Sequence, residues 1–200
     1  VIGPGDVQWM TAASGVVHEE LHEKEFAEKG GLLEGVQLWV NLPKAFKMTA
    51  PRYQTLLSSD IPMVELGGGA SRLRVIAGEF RGVAGPAKTF SPVHLYDLRL
   101  AAGHRMELDL PEGFNSSLFV LHGQVVVNGS QSVDDVHIAL FGQRGERVVL
   151  EAKQEATILV LSGKPIAEPI ARYGPFVMNT RDEIIQAVQD YQAGKMGHLS

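Results

Sequence analysis

A histidine, a glutamate and a second histidine stand at alternate positions near the start of the chain. They are His18, Glu20 and His22, within the run VVHEELH. Alternate side chains of a β-strand lie on one face, so on a strand all three would point into the same barrel interior. Imidazole and carboxylate groups form a ligand set suited to iron(II), manganese, nickel or zinc. The spacing therefore makes this segment a candidate metal site.

The same spacing also fits a solvated, acidic strand end, because glutamates crowd the segment. A catalytic metal generally has three or more protein ligands and an open position. The remaining histidines have no second histidine at metal-ligand spacing, and we expect strand-surface or turn positions for most of them: His94, His104, His122, His137 and His198. On spacing alone, both interpretations of the segment stay open.

Short strands and turns are expected to carry this segment. Strand patterns cover residues 7–11 and 15–21, and residues 35–42 alternate apolar and polar side chains as a half-buried strand does. An irregular connector follows, running from Pro43 to Pro62. Three consecutive glycines, Gly67-Gly68-Gly69, then mark the best boundary between two domains.

After the glycines, seven strand patterns follow one another with turn residues between them. They cover Leu73–Phe80, His94–Leu100, Arg105–Leu110, Leu118–Asn128, Val136–Phe141, Arg147–Glu151 and Thr157–Ser162. Such a series predicts an antiparallel sandwich or barrel. Near the end of the chain, Thr180 and Glu183 form a capping box ahead of an apolar stripe, which predicts a helix over about residues 181–193. The predicted fold class is all-β with a short C-terminal α-helix.

Composition narrows the classes of function. The chain has 200 residues, a net charge of −5 and no cysteine. The acidic balance argues against direct nucleic-acid binding, and no apolar run reaches the length of a membrane span. Without cysteine, neither disulfides nor thiolate chemistry is available. We expect a cytoplasmic protein with neither nucleic-acid nor membrane partners.

The apolar run FVLHGQVVVNG, at residues 119–129, predicts two strands joined by a tight glycine turn. It resembles the hairpin that follows the metal-binding strand of a cupin barrel. In cupins a His-x-His pair lies shortly before that turn, whereas residues 110–115 of this chain hold no histidine. We therefore predict that this barrel binds no metal.

Several longer blocks resemble the pirin family. IGPGDVQWMTA at residues 2–12 and GVVHEE at 15–20 resemble the block that ends the pirin metal site. QLWVNLP at residues 37–43 and PRYQ at 51–54 match the passage that follows it. PIARYGPFVMNT at residues 169–180 resembles the C-terminal signature of the family. The likeness extends over essentially the whole chain.

This resemblance implies a bicupin with one mononuclear iron in its first barrel, held by three histidines and one glutamate. The last histidine and the glutamate fall on His18 and Glu20, whereas His22 is not a ligand position. The first two ligands belong to a His-Pro-His-Arg-Gly motif that should lie before Val1 and does not occur in this sequence. We therefore expect an N-terminally truncated chain with an incomplete first barrel and an incomplete ligand set.

The same resemblance divides the chain into two domains. Residues 1–66 are the remainder of the first cupin with its connector, and residues 67–200 are the second cupin with the terminal helix. Each barrel is expected to be the double-stranded β-helix of a cupin. Because an incomplete barrel exposes strand edges and apolar lining, we expect self-association through residues 1–45.

Three functions are open on the sequence. The first, implied by the resemblance, is a quercetin 2,3-dioxygenase whose iron binds a flavonol-like substrate, with Glu20 as both ligand and catalytic base for the flavonol hydroxyl. The second is a redox-sensing regulator that binds a transcription factor or a metabolic enzyme, since an acidic protein suits a protein partner better than DNA. The third is a degenerate bicupin with a structural role only.

Overall fold

Sixteen β-strands and two α-helices make up the regular structure of residues 1–199, the part of the chain that this computed structural model describes. Three short 3-10 turns lie at Lys44–Phe46, Ser58–Asp60 and Gly67–Gly69. The helices are α1 (Lys24–Lys29) and α2 (Arg181–Gln192). The strands are β1 (Val7–Thr11), β2 (Arg52–Leu56), β3 (Met63–Leu66), β4 (Ser71–Ala77), β5 (Glu79–Phe80), β6 (Val83–Ala84), β7 (Val93–Leu100), β8 (Arg105–Asp109), β9 (Asn115–His122), β10 (Gln124–Val127), β11 (Gln131–Asp134), β12 (His137–Leu140), β13 (Arg147–Ala152), β14 (Ala156–Gly163), β15 (Ala171–Tyr173) and β16 (Phe176–Met178).

The elements group into two units. The larger is formed by residues 56–165, and the smaller joins residues 1–55 to the C-terminal residues from Ile166 onward. The domain boundary that the sequence places at residue 66 stays a prediction.

Two antiparallel sheets build the larger unit. One has six strands in the order β12-β9-β14-β7-β4-β3, and the other has four in the order β11-β10-β13-β8. Every pairing in both sheets is antiparallel. Side chains from both sheets share one apolar core. The all-β class and the antiparallel barrel predicted for this part of the chain are confirmed.

Strand alternation determines which side chains enter that core. Tyr96, Leu98 and Leu100 of β7 are buried at alternate positions. Leu98 lies opposite Ile158 of β14, which in turn pairs with Val120 of β9. Each large apolar side chain of this kind contributes about 1.5–3 kcal/mol when it leaves water. The period-two pattern in the sequence therefore identifies the inner face of the barrel.

Glycines divide two of the predicted strands. Gly78 separates β4 from β5, and Gly123 separates β9 from β10. Gly123 has a φ of 85°, and a Cβ at this position would lie 2.1 Å from the carbonyl oxygen of Glu155. The predicted strand break at the glycine is confirmed, but the predicted hairpin is wrong, because β9 lies in the six-stranded sheet and β10 in the four-stranded sheet. The close approach of a second backbone explains why the residue must be glycine.

The smaller unit is built from both ends of the chain. β1 pairs with β2, and the hairpin of β15 and β16 leads into α2. The N–H of Glu183 donates to the Thr180 hydroxyl at 3.2 Å, and the N–H of Thr180 donates to the Glu183 carboxylate at 2.9 Å. Ile184 is buried, and the Tyr191 ring packs edge-on against Phe176 at 6.3 Å. The predicted capping box and helix are confirmed.

Two strand predictions in this unit are wrong. Residues 15–21 and 35–42 form no strand and pair with no other strand of residues 1–199. Apolar side chains of the second segment face solvent, and Trp39 is 67% exposed. Alternation makes a strand only where a neighbouring strand satisfies its backbone N–H and C=O groups. Neither segment has such a neighbour in the described part of the chain.

A hydrogen-bonded pair, His94 and Tyr96, lies at the start of β7. The Tyr96 hydroxyl donates to the carbonyl oxygen of Glu79 at 2.6 Å, so it accepts the Nδ1–H of His94 at 2.7 Å. The His94 ring also packs 5.9 Å from the ring of Phe114. Burial lowers the pKa of His94 and raises the pKa of Tyr96. His94 is therefore a partly buried, neutral side chain and differs from the strand-surface or turn positions expected for most of the histidines.

The lowered pKa of His94 predicts acid sensitivity of the larger unit. The unfolded chain takes up this proton near its ordinary value of about 6.5, before the folded protein does, so stability falls as the pH drops from about 8 to about 5. The free energy of unfolding in urea is compared at about pH 8 and about pH 5. His94→Gln should lose less stability between them than the wild type, because glutamine keeps a donor for Tyr96 without titrating. His137→Gln is the matched control at an exposed histidine and should keep the fall. An unchanged fall in His94→Gln would show that other groups cause it.

Candidate functional site

His18, Glu20 and His22 lie between β1 and α1, in a segment without strand or helix. All three side chains are exposed. The chain leaves β1 through a turn in which the N–H of Gly15 donates to the carbonyl oxygen of Ala12 at 2.8 Å. The predicted geometry, with His18 and Glu20 side by side on one strand inside a barrel, is wrong for residues 1–199, because no neighbouring strand pairs with this segment.

The two proposed ligands have no competing partner. Neither His18 nor Glu20 makes a hydrogen bond or an ion pair with any of the residues that the structure describes. His22 differs, since its ring packs edge-on against Phe26 of α1 at 5.8 Å. Two of the three donors are therefore available to a metal, while His22 is engaged with the helix.

The neighbouring glutamates have structural roles. The N–H of Phe26 donates to the carboxylate of Glu23 at 2.9 Å, which caps α1, and backbone hydrogen bonds of this kind lower the pKa of Glu23. Glu25 pairs with Lys29 one turn later at 3.0 Å. Part of the acidic run thus forms the beginning of the short helix α1. The Glu20 carboxylate lies before this helix and makes no such contact.

The donor chemistry fits a metal, but the donor number falls short. Imidazole and carboxylate suit a mononuclear iron. Among residues 1–199, no three His, Cys, Asp or Glu side chains are grouped to hold a metal. His18 and Glu20 can therefore supply part of a coordination shell, and further ligands are needed to complete it.

Backbone contacts hold the segment ahead of His18. The N–H of Ser14 donates to the carbonyl oxygen of Thr49 at 3.1 Å. The N–H of Val17 donates to the carbonyl oxygen of Met196 at 2.8 Å. The residues just before the proposed ligands are therefore held by two segments that are distant in the sequence, the connector and the C-terminal turn.

A buried lysine ties that connector to the C-terminal hairpin. Lys47 is 4% exposed, and its Nζ donates to Asn41 Oδ1 at 2.6 Å and to the carbonyl oxygen of Val177 at 2.9 Å. Burial lowers the pKa of Lys47, and the carboxylates of Glu168 and Glu183 oppose that shift. Sequence reasoning missed this residue because lysine is mostly exposed. The available signal was that Asn41 and Val177 both lie in blocks that resemble pirins.

The remaining histidines of the described residues do not join the site. His104 Nδ1 contacts the hydroxyl of Ser71 in a short hydrogen bond, and His137 Nδ1 contacts the carbonyl oxygen of Asp135 at 2.9 Å. His198 lies against Gly194, so that a Cβ on the glycine would be 2.7 Å from its Nε2. Among residues 1–199, no helix is both long and apolar enough to cross a membrane.

Family models match both parts of the chain. The model described as the pirin C-terminal cupin domain matches residues 95–197, which is just over half of the chain. The model described as pirin matches residues 1–40, the stretch that holds His18 and Glu20. The predicted family resemblance and the cupin fold are confirmed.

Individual relatives extend the likeness over nearly the whole chain. A Pseudomonas aeruginosa protein provisionally named quercetin 2,3-dioxygenase is 52% identical over 97% of this chain and 68% of its own length. The pirin of Mus musculus is 36% identical over 98% of this chain and 67% of its own length. A crystal structure of a quercetin 2,3-dioxygenase from Acinetobacter baumannii has a TM-score of 0.97 and 48% identity, over 100% of this chain and 69% of that one. This chain spans about two thirds of the length of each.

Proposed function

The chain belongs to the pirin family, and on that premise we propose that the full-length protein is an iron-dependent dioxygenase acting on a quercetin-type flavonol. The observation that carries the proposal is the pair His18 and Glu20. Both donors are exposed and uncommitted, and both lie in the stretch that matches the pirin model. Relatives that bear the quercetin 2,3-dioxygenase name support the substrate class.

The roles of the two residues follow from their chemistry. Iron bound at such a site acts as a Lewis acid and as a template that orients the flavonol. We assign His18 as an imidazole ligand and Glu20 as a carboxylate ligand. Glu20 is also the base that accepts the proton of the flavonol hydroxyl, since a carboxylate beside the bound substrate is within reach of it.

The rest of the ligand set belongs to the proposal as well. The family resemblance implies two further histidines, in a His-Pro-His-Arg-Gly motif ahead of the residues described. Residues 1–199 by themselves are then expected to bind iron weakly or not at all, because two donors hold a metal less firmly than four.

The proposal is tested by metal analysis and a flavonol turnover assay on the full-length protein. We expect stoichiometric iron and oxygen-dependent loss of quercetin, and both should disappear after treatment with a chelator. Bound iron without turnover would contradict the enzymatic role and favour the regulator. A full-length protein that binds no metal would contradict both.

A second candidate function, a regulator that binds another protein, is favoured by one exposed segment. Leu32, Leu33 and Trp39 are each more than half exposed, on a stretch that forms no strand. Large apolar side chains that are exposed close together in the sequence are candidates for a contact surface. Self-association through residues 1–45 is a separate proposal, in which a second copy of the chain would cover these side chains.

A further inference from the structure

We propose that the C-terminal turn of this chain, residues 194–197, is a positioning element for the metal ligands, and that Met196 is its contact residue. The inference rests on the proposed function, because it concerns the same pair, His18 and Glu20. Met196 does not touch the metal or the substrate in this proposal. It acts through the backbone that precedes His18.

Two contacts place Met196 against this backbone. Its carbonyl oxygen accepts the N–H of Val17, the residue directly before His18, at 2.8 Å. Its side chain lies over Gly15, where a Cβ would be 2.4 Å from the Met196 Sδ. Gly15 also has a φ of 110°, which favours glycine for conformational reasons. The C-terminal turn therefore occupies the space that any larger residue at position 15 would need.

The turn itself is fastened to α2. The N–H of Lys195 donates to the carbonyl oxygen of Asp190 at 3.0 Å, and Lys195 Nζ pairs with Asp190 Oδ1 at 2.7 Å. The N–H of Gly197 donates to the carbonyl oxygen of Gly194 at 3.2 Å. Because α2 is a capped helix that ends at Gln192, Met196 follows closely after an ordered element of the chain.

Within residues 1–199 no strand pairs with the ligand segment, so backbone contacts such as that with Met196 fix its position there. Residues 16–22 pair with no strand of the described chain, and His18 and Glu20 have no side-chain partner within residues 1–199. Groups that orient metal ligands from outside the coordination shell typically change metal affinity about 10–100-fold. Loss of the Met196 contact should therefore weaken metal binding while leaving both ligands in place.

The test uses the metal-free full-length protein, titrated with cobalt(II) and followed by its visible absorption. We expect Met196→Ala to weaken cobalt binding about tenfold. Gly15→Ala should weaken cobalt binding further, because the new Cβ would overlap the Met196 side chain. The double variant Gly15→Ala, Met196→Ala should recover part of that cobalt affinity, because the overlap is removed. Amide hydrogen exchange of Val17, measured without metal, should become faster in Met196→Ala, because its acceptor is less firmly held.

Two controls separate positioning from stability. Met178→Ala truncates another partly buried methionine of the same unit, and it should lower stability without changing cobalt affinity. Unchanged cobalt affinity and unchanged Val17 exchange in Met196→Ala would overturn the inference, provided that His18→Ala loses cobalt. If His18→Ala keeps wild-type cobalt affinity, the proposed metal site itself is wrong, and this inference is wrong with it.

Discussion

Replacing His18 by alanine in the full-length protein is expected to abolish stoichiometric iron binding and to lower flavonol turnover by more than about 100-fold. Removing a group that only orients a ligand already costs about 10–100-fold, so removing a ligand should cost more. Glu20→Gln should weaken iron binding as well, and it should also remove the base for the flavonol hydroxyl. Iron content and initial rates of quercetin loss measure the two effects separately.

Neighbouring residues provide matched controls for these variants. His22→Ala removes an imidazole from the same segment, but this ring packs against Phe26, so iron content should be kept. Glu19→Gln removes an exposed carboxylate one residue before Glu20 and should leave turnover unchanged. A loss of iron in His22→Ala as large as that in His18→Ala would show that the ligands have been assigned to the wrong histidine.

Replacing Gly123 by alanine is expected to destabilise the larger unit by at least about 3 kcal/mol. The new Cβ would lie 2.1 Å from the carbonyl oxygen of Glu155, so one backbone segment must move. Alanine at a φ of 85° adds conformational strain. Urea unfolding of wild type and variant, followed by far-ultraviolet circular dichroism of the strands, measures the difference in the free energy of unfolding.

The turn between β10 and β11 supplies the control for this prediction. Gly129 has a φ of 71°, yet no atom lies within 4 Å of the position that its Cβ would take. Gly129→Ala should therefore cost only the backbone strain, about 1 kcal/mol. If Gly123→Ala costs no more than Gly129→Ala, the close approach to Glu155 is relieved by small shifts, and the turn alone requires the glycine.

Local patterns predicted the strands and the helix correctly where they had partners. The alternation that placed strands across residues 73–162 is reproduced in most of β4 to β14, because these strands lie beside one another and most of them bury one face. The short strands β6 and β11 lie outside the predicted ranges. The helix α2 was predicted from Thr180 and Glu183, whose reciprocal hydrogen bonds form within a single turn. Both signals depend on residues that are close in the sequence.

The candidate site was predicted only in part. The spacing of His18 and Glu20 and the likeness to pirins predict these two residues as donors, and the structure leaves both exposed and uncommitted. Their role as metal ligands stays a prediction. The strand on which they were expected is absent from the described residues. A strand prediction for this segment assumed a neighbour, and whether a neighbour exists is not a property of the segment itself.

The sequence by itself therefore determined the family, the antiparallel barrel of the larger unit, the capped helix and the two candidate ligands. Only the tertiary structure decided that Lys47 is buried, that His94 donates to a tyrosine, and that Met196 packs on Gly15. Alternation, capping and glycine turns act between residues a few positions apart, so they can be recognised in a sequence. Burial and cross-chain contacts depend on which distant segments meet, and that is set by the packing of the whole unit.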